Sequence, residues 1–186
     1  MENVAQHAPT LAMLVMAAVA AYTDFKTGLI PNRVVLFGAL LGGMARLLVV
    51  ASAGSSPLVL AYTLLGGIVL CSIVPGVLYA LGGMGGGDLK LFAAIGLCMG
   101  PLVGMDIQLV SYVVALLLVP LYLAREGRLR ATVRQSATVL QNMWLPVARR
   151  TPVAREQMTS VRFAPAIFAA ALLVTAMQTT LGKSTP

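Results

Sequence analysis

The sequence predicts an all-α, polytopic membrane protein: a bundle of six transmembrane helices with one long basic loop on the cytoplasmic side. Three observations predict it. The 186-residue chain is 59% hydrophobic and only 10% charged, against roughly 25% charged residues in a soluble domain, so there is too little polar surface to cover a water-soluble fold. Its apolar residues fall in successive runs, most of them long enough to cross a bilayer. Lys26, Arg33, Lys90 and the eight arginines from Arg125 to Arg162 fall in alternate loops, which is the positive-inside pattern that sets orientation. The length suits one membrane domain over residues 1–186.

The first span is expected over about residues 8–23. Its Ala-rich end resembles a signal-peptide cleavage site, but a signal peptide carries a basic leading region, and here Glu2 precedes the apolar run with no Lys or Arg. It therefore reads as a retained helix with its N-terminus outside. Residues 23–33 form a polar connection in which Gly28 permits a turn and Pro31 biases Ile30 toward an extended conformation. Asn32 is placed to cap a second span over about 33–51, and Arg46 reads as a snorkelling side chain. An uncharged outside turn, residues 52–57, leads to a third span over about 58–81, kinked at Pro75. The fourth span, about 89–103, is short. Gly96, Gly100 and Gly104 recur in it at the spacing that lets helices pack closely in lipid. Asp106 is expected in the next outside turn, as a solvated residue or cap, before a fifth span over about 107–123.

The segment 125–162 carries Leu129, Val133, Ala137, Leu140 and Trp144 at helical spacing, with Arg128, Arg130 and Arg134 elsewhere on the wheel. That describes a basic amphipathic helix, lying on the inner membrane surface against anionic lipid or packed on the bundle. A sixth span covers about 163–181. With six spans both termini lie outside, and the loops holding Asp24, Asp88 and the arginines share the cytoplasmic face.

Several function classes fail on inventory. The net charge of +7 tracks topology and not a groove-reading face, so nucleic acid is not an expected partner. Cys71 and Cys98 lie inside apolar runs, with no C-x-x-C spacing, and His7 is the only histidine. No metal site, metalloprotease signature or Ser-His-Asp arrangement is therefore available, and no cofactor is called for.

What remains is carboxylate chemistry. Gly82-Gly83-Met84-Gly85-Gly86-Gly87 runs straight into Asp88, and Asp24 closes the first apolar run much as Asp88 opens a later one. An acid at the edge of a hydrophobic span is costly to bury and marks a functional site by default. Two of them a few ångströms apart cannot both ionise, which supplies one ionised and one protonated group, as an aspartic peptidase needs to activate water and polarise a scissile carbonyl. Such a pair titrates as a unit. Gly85, Gly86 and Gly87 would let a substrate strand approach the backbone closely. On chemistry alone plainer readings stand beside this one: a glycine linker with an Asp cap, a solvated Asp24, and Lys26 and Lys90 as topological anchors. The glycine run misses the phosphate-binding patterns, since no Gly-Lys-Ser/Thr follows it.

Tyr22-Thr23-Asp24 followed by Ile30-Pro31-Asn32, then Gly85-Gly86-Gly87-Asp88 with Lys90 two residues on, resembles the type IV prepilin peptidase family, membrane aspartic peptidases of the G-x-G-D class. Arg162-Phe163-Ala164-Pro165-Ala166 is loosely similar to the start of that family's last helix. The resemblance implies that Asp24 and Asp88 are the catalytic pair, that Gly85, Gly86, Gly87, Lys90, Pro31 and Asn32 border the substrate, and that the substrate is a prepilin or pseudopilin with a basic leader. Cleavage would occur at the cytoplasmic face of the bacterial inner membrane. Larger members carry paired C-x-x-C zinc ligands and also methylate the new N-terminus. This chain lacks those cysteines and resembles the short, peptidase-only branch serving tight-adherence (Flp-type) pili, with no N-methylation expected. Two other readings are a small proton- or cation-coupled transporter using the same carboxylates and a presenilin-like G-x-G-D peptidase. The absence of a clear internal repeat weighs against the transporter, and the Ile-Pro-Asn element against the presenilin-like enzyme. Membrane lipid is the other expected partner; the sequence does not fix an oligomeric state.

Overall fold

The computed structural model describes residues 2–125 and 162–181, and every regular element among them is helical. Helix α1 spans Glu2–Thr27, α2 Asn32–Ser52 and α3 Pro57–Ala61; a single π-helical turn, Tyr62–Gly66, joins α3 to α4, Gly67–Ala80. Helix α5 spans Gly86–Met99, α6 Pro101–Arg125 and α7 Ala164–Leu181. Four stretches are long and apolar enough to cross a membrane: Gln6–Thr27, Asn32–Ser52, Pro57–Ala80 and Pro101–Leu118. The fourth and sixth expected spans correspond to α5 and α7, whose apolar stretches are shorter. The outer faces are studded with large exposed apolar side chains such as Leu36, Phe37, Leu41, Leu65 and Leu116. Side chains of this kind over so much of a surface fit a multi-pass membrane protein. The expected amphipathic segment lies almost wholly outside the described residues.

Helix α5 lies in the middle of the bundle. It contacts α1, α2, α4 and α6, while α7 packs against α1 and α6. Leu91, Phe92, Ile95 and Cys98 of α5 are completely buried, and they meet Met13 and Ala20 of α1, Ile107 of α6 and Ile167 of α7 in one apolar core. Buried hydroxyls within it return to their own helices: Ser111 donates to the Ile107 carbonyl at 2.6 Å and Thr175 to that of Ala171 at 2.8 Å. In lipid each polar group needs such an internal partner.

Glycine sets the closest approach in the bundle. A Cβ on Gly67 of α4 or on Gly96 of α5 would collide with the other's carbonyl oxygen, and one on Gly104 of α6 would stand 2.7 Å from Cys71 Sγ. Small residues thus bring three backbones together, the packing mode expected in lipid. Gly100 plays a different part from its neighbours in the spacing. Its φ of +81° breaks the chain between α5 and α6, a conformation that side-chain-bearing residues resist.

Several element boundaries differ from the sequence expectation. Helix α1 begins at Glu2 and continues through Thr27, so Asp24 lies within the helix, where Gly28 ends it with φ +70° and an N–H donated to the Asp24 carbonyl at 2.8 Å. A glycine in the left-handed region is a common helix terminator. Pro31, not Asn32, is the residue flanking α2, and its carbonyl accepts from Val34 and Val35. There is no turn at Asp106: the break falls earlier, at Gly100, and Asp106 is exposed within α6. Arg46 does not simply snorkel. Its Nε is buried without a partner among the described residues, and the guanidinium stands beside Gly100 at the end of α5, where a cation complements the negative end of a helix dipole.

Candidate active site

Asp24 and Asp88 reach the same end of the bundle from different helices. Asp24 stands in the last turns of α1 and Asp88 in the first turn of α5, and both are buried, at 6% and 7% exposure. Each is also held at the N-terminal end of a helix. Asp88 is the third residue of α5, following Gly85 at the flanking position, which is extended at φ −75°, ψ 147°. Asp24 Oδ2 accepts the backbone N–H of Ala164, the first residue of α7, at 3.2 Å. The first turn of a helix has N–H groups with no intrahelical partner and a positive dipole end, so it favours a carboxylate.

The two acids have different surroundings. Asp88 is pushed up to about 7 from an ordinary 3.8, chiefly by burial and then by the charge of Asp24, with the Gly85 backbone pulling the other way. One of its oxygens, Oδ1, is buried with no hydrogen-bond partner among the described residues. Asp24 is buried as well, and differs in accepting the Ala164 N–H and in having Arg162 close by. Arg162 is exposed, its guanidinium 5.5 Å from the ring centre of Phe25. Two coupled carboxyls that hold one proton between them can act together on one water: one group withdraws a proton while the other donates a hydrogen bond.

The glycines before Asp88 are packed against it and against the first connection. A Cβ on Gly85 would sit 3.1 Å from Asp88 Oδ2, and one on Gly87 would sit 3.0 Å from Ile30 Cβ. Gly86 faces the ring of Tyr79. Glycine at 87 therefore lets the start of α5 close onto the Ile30-Pro31-Asn32 element. On the far side of that contact Lys90 Nζ donates to Asn32 Oδ1 at 3.0 Å. Lys90 lies two positions beyond Asp88, about 200° around the helix, so Lys90 and Asn32 form a brace behind the carboxylates. Pro31 is exposed at the start of α2. Among the described residues no group of three His, Cys, Asp or Glu side chains comes together as metal ligands.

Sequence reasoning left Ala164, Phe163 and Arg162 out of the site. Phe163 packs with Phe92 of α5 and Tyr112 of α6, with ring centres 6.3 and 5.9 Å apart respectively, and this aromatic cluster fixes where α7 starts. A signal existed: Pro165, in the first turn of α7, marks a helix N-terminus. That the free N–H there meets Asp24 is visible only in three dimensions.

The family model of the type IV leader peptidase family matches residues 11–120, a stretch that contains both carboxylates, the Ile30-Pro31-Asn32 element and the whole glycine-rich turn. No individual curated protein and no solved structure matches the chain significantly. The family match covers more than half of the sequence and falls on the region that the geometry independently marks out, so this membrane protein belongs to the type IV leader peptidase family.

Proposed function

We propose that the chain is an aspartic-type endopeptidase that removes the basic leader from type IV pilin-like precursors, Flp-type prepilins or pseudopilins. It acts at the cytoplasmic face of the bacterial inner membrane, without N-methylating the product. The observation that carries this reading is the pair of buried, electrostatically coupled carboxylates, each at a helix N-terminus, inside the family-matched region.

In this mechanism Asp24, steadied by the Ala164 N–H, is the ionised partner and takes a proton from a water as the water oxygen attacks the scissile carbonyl. Asp88, held in its acid form up to about pH 7, donates a hydrogen bond to that carbonyl oxygen as negative charge develops there. Collapse of the tetrahedral intermediate expels the new N-terminal amine, which takes a proton from the carboxyl pair. Gly85, Gly86 and Gly87 offer backbone to the extended leader, and Pro31 borders the same surface. Asn32 and Lys90 hold that edge from behind. Helices α5 and α7 complete six crossings alongside the four longer stretches, which leaves both termini outside and the carboxylates inside. A pilin precursor inserted with its basic leader inside would bring its cleavage point to that face. Removal of the leader alone fits a chain whose two cysteines are buried, free thiols within the bundle.

The test is co-expression with a candidate prepilin, scored by loss of leader on a gel. Asp24→Asn and Asp88→Asn should each insert normally and lower processing by at least about a hundredfold; a variant that still processes its substrate refutes the dyad. N-terminal sequencing of the product distinguishes a cut after the leader from a cut inside the substrate's span, which the presenilin-like reading requires. The transporter reading of the same carboxylates gains no support from the family match.

A further inference from the structure

Helix α5 carries two stripes. Asp88, Leu91, Phe92 and Ile95 recur at i, i+3, i+4 and i+7 and face the core and the candidate active site. The opposite stripe, Lys90, Ala93 and Leu97, faces Asn32, Leu36 and Ala39 of α2 across a groove of about 440 Å³. This is within the size of ordinary ligand pockets, about 300–1,000 Å³. The rest of the lining is aliphatic and includes Ile68 of α4. Leu36 is 59% exposed, so the groove opens to the surroundings of the bundle and not to the carboxylates. Its polar lining is gathered at one end, where α2 and α5 both begin, and consists of Asn32, Arg33 and Lys90. No acidic side chain is among the described residues that line it.

An occupant must therefore present a flexible apolar body to the groove and a negative charge to its mouth. A basic pilin leader has the wrong sign for that mouth. We infer that the groove between α2 and α5 is a binding site for an anionic phospholipid of the surrounding bilayer, with an acyl chain lying along Ala39, Ala93 and Leu97 and the headgroup phosphate between Arg33 and Lys90. Basic pockets between helices at a membrane surface recognise headgroups in this way. The Lys90–Asn32 hydrogen bond already points Nζ toward the mouth, so the phosphate would join an existing polar contact. The inference does not depend on the peptidase reading, because its measurement is lipid binding and not cleavage.

The full chain, purified in neutral detergent, is titrated with phosphatidylglycerol and with phosphatidylcholine, and bound lipid is counted by native mass spectrometry. Phosphatidylglycerol should be retained preferentially. The double substitution Arg33→Gln, Lys90→Gln should weaken that binding at least about tenfold, in line with two lost surface cations. Ala93→Phe, which fills the groove and leaves the charges in place, should weaken it as well. Equal binding of the two lipids, or a double variant that binds like the wild type, overturns the inference. So does undiminished binding by Ala93→Phe, which would place the lipid elsewhere or the groove under another segment of the chain. Because Ala93→Phe risks disturbing the helix packing, photoactivatable phosphatidylglycerol is also crosslinked to the unmodified protein. Labelling in α2 and α5 near Ala39, Ala93 and Leu97 supports the site, and labelling confined to other helices overturns it.

Discussion

Asp88 is the residue whose titration should set the pH dependence of the proposed activity. Burial and the neighbouring charge of Asp24 raise it to about 7, so a catalytic pair needing one protonated and one ionised member should lose activity as pH rises through about 7. Leader removal by purified protein, followed across pH 5–9 (roughly two units either side), should show that alkaline decline. A rate that keeps climbing above neutrality would mean Asp88 works ionised. The same shift acts on stability. The folded chain holds a proton at Asp88 that the unfolded chain releases above its ordinary value of 3.8, so the group's stabilising contribution is complete below that value and is lost as pH rises toward about 7. Asp88→Asn removes the titrating group and should flatten the fall of the thermal midpoint across that window; an unchanged slope would assign it to other groups.

Among the elements, the contact of α4 with α5 is the most sharply specified, because backbone meets backbone there. Gly96→Ala places a methyl against the Gly67 carbonyl, which cannot swing aside as a side chain could. It should destabilise by about 1–3 kcal/mol, the usual range for overpacking, read as a lower thermal midpoint in detergent. Gly76, in the same helix as Gly67, has open space where its Cβ would stand. Gly76→Ala should therefore be neutral or stabilising by up to about 1 kcal/mol through helix propensity. Equal effects at the two positions would show that the close approach carries no energetic weight.

For the whole molecule, the proposed function requires one orientation of the bundle in the membrane. In the proposed orientation, which follows the charge pattern, the Gly28–Pro31 connection is inside and the Ser52–Pro57 turn outside. Cys71 and Cys98 are buried, so introduced cysteines can be read against a low background. Ser55→Cys should react with a membrane-impermeant maleimide on spheroplasts, and Leu29→Cys only after lysis. The reverse pattern would put the carboxylates on the outer face, away from an inserted precursor's leader. The lipid groove at the mouth of α2 and α5 would share the cytoplasmic orientation.

Membrane class and helical content were legible in the amino acids alone, because composition and apolar run length survive without neighbours, and the ends of the apolar runs singled out Asp24 and Asp88 as the candidate pair. The sequence also marked Gly85–Gly87 and the Ile30-Pro31-Asn32 element, whose local geometry is written in residues of unusual conformational range. It misplaced the break after α5, reading a turn at Asp106 where a single left-handed Gly100 suffices, since a glycine in a small-residue repeat looks the same whether it packs a helix or ends one. It cast Arg46 as a snorkelling side chain and Asn32 as a cap, when one turns in toward the end of α5 and the other pairs with Lys90. The tertiary structure alone decided that α7 delivers its first N–H to Asp24 across 140 residues of chain. Only packing could decide that the two faces of α5 look onto a carboxylate pair and a cation-mouthed groove, because periodicity gives each helix its stripes but not what stands opposite them.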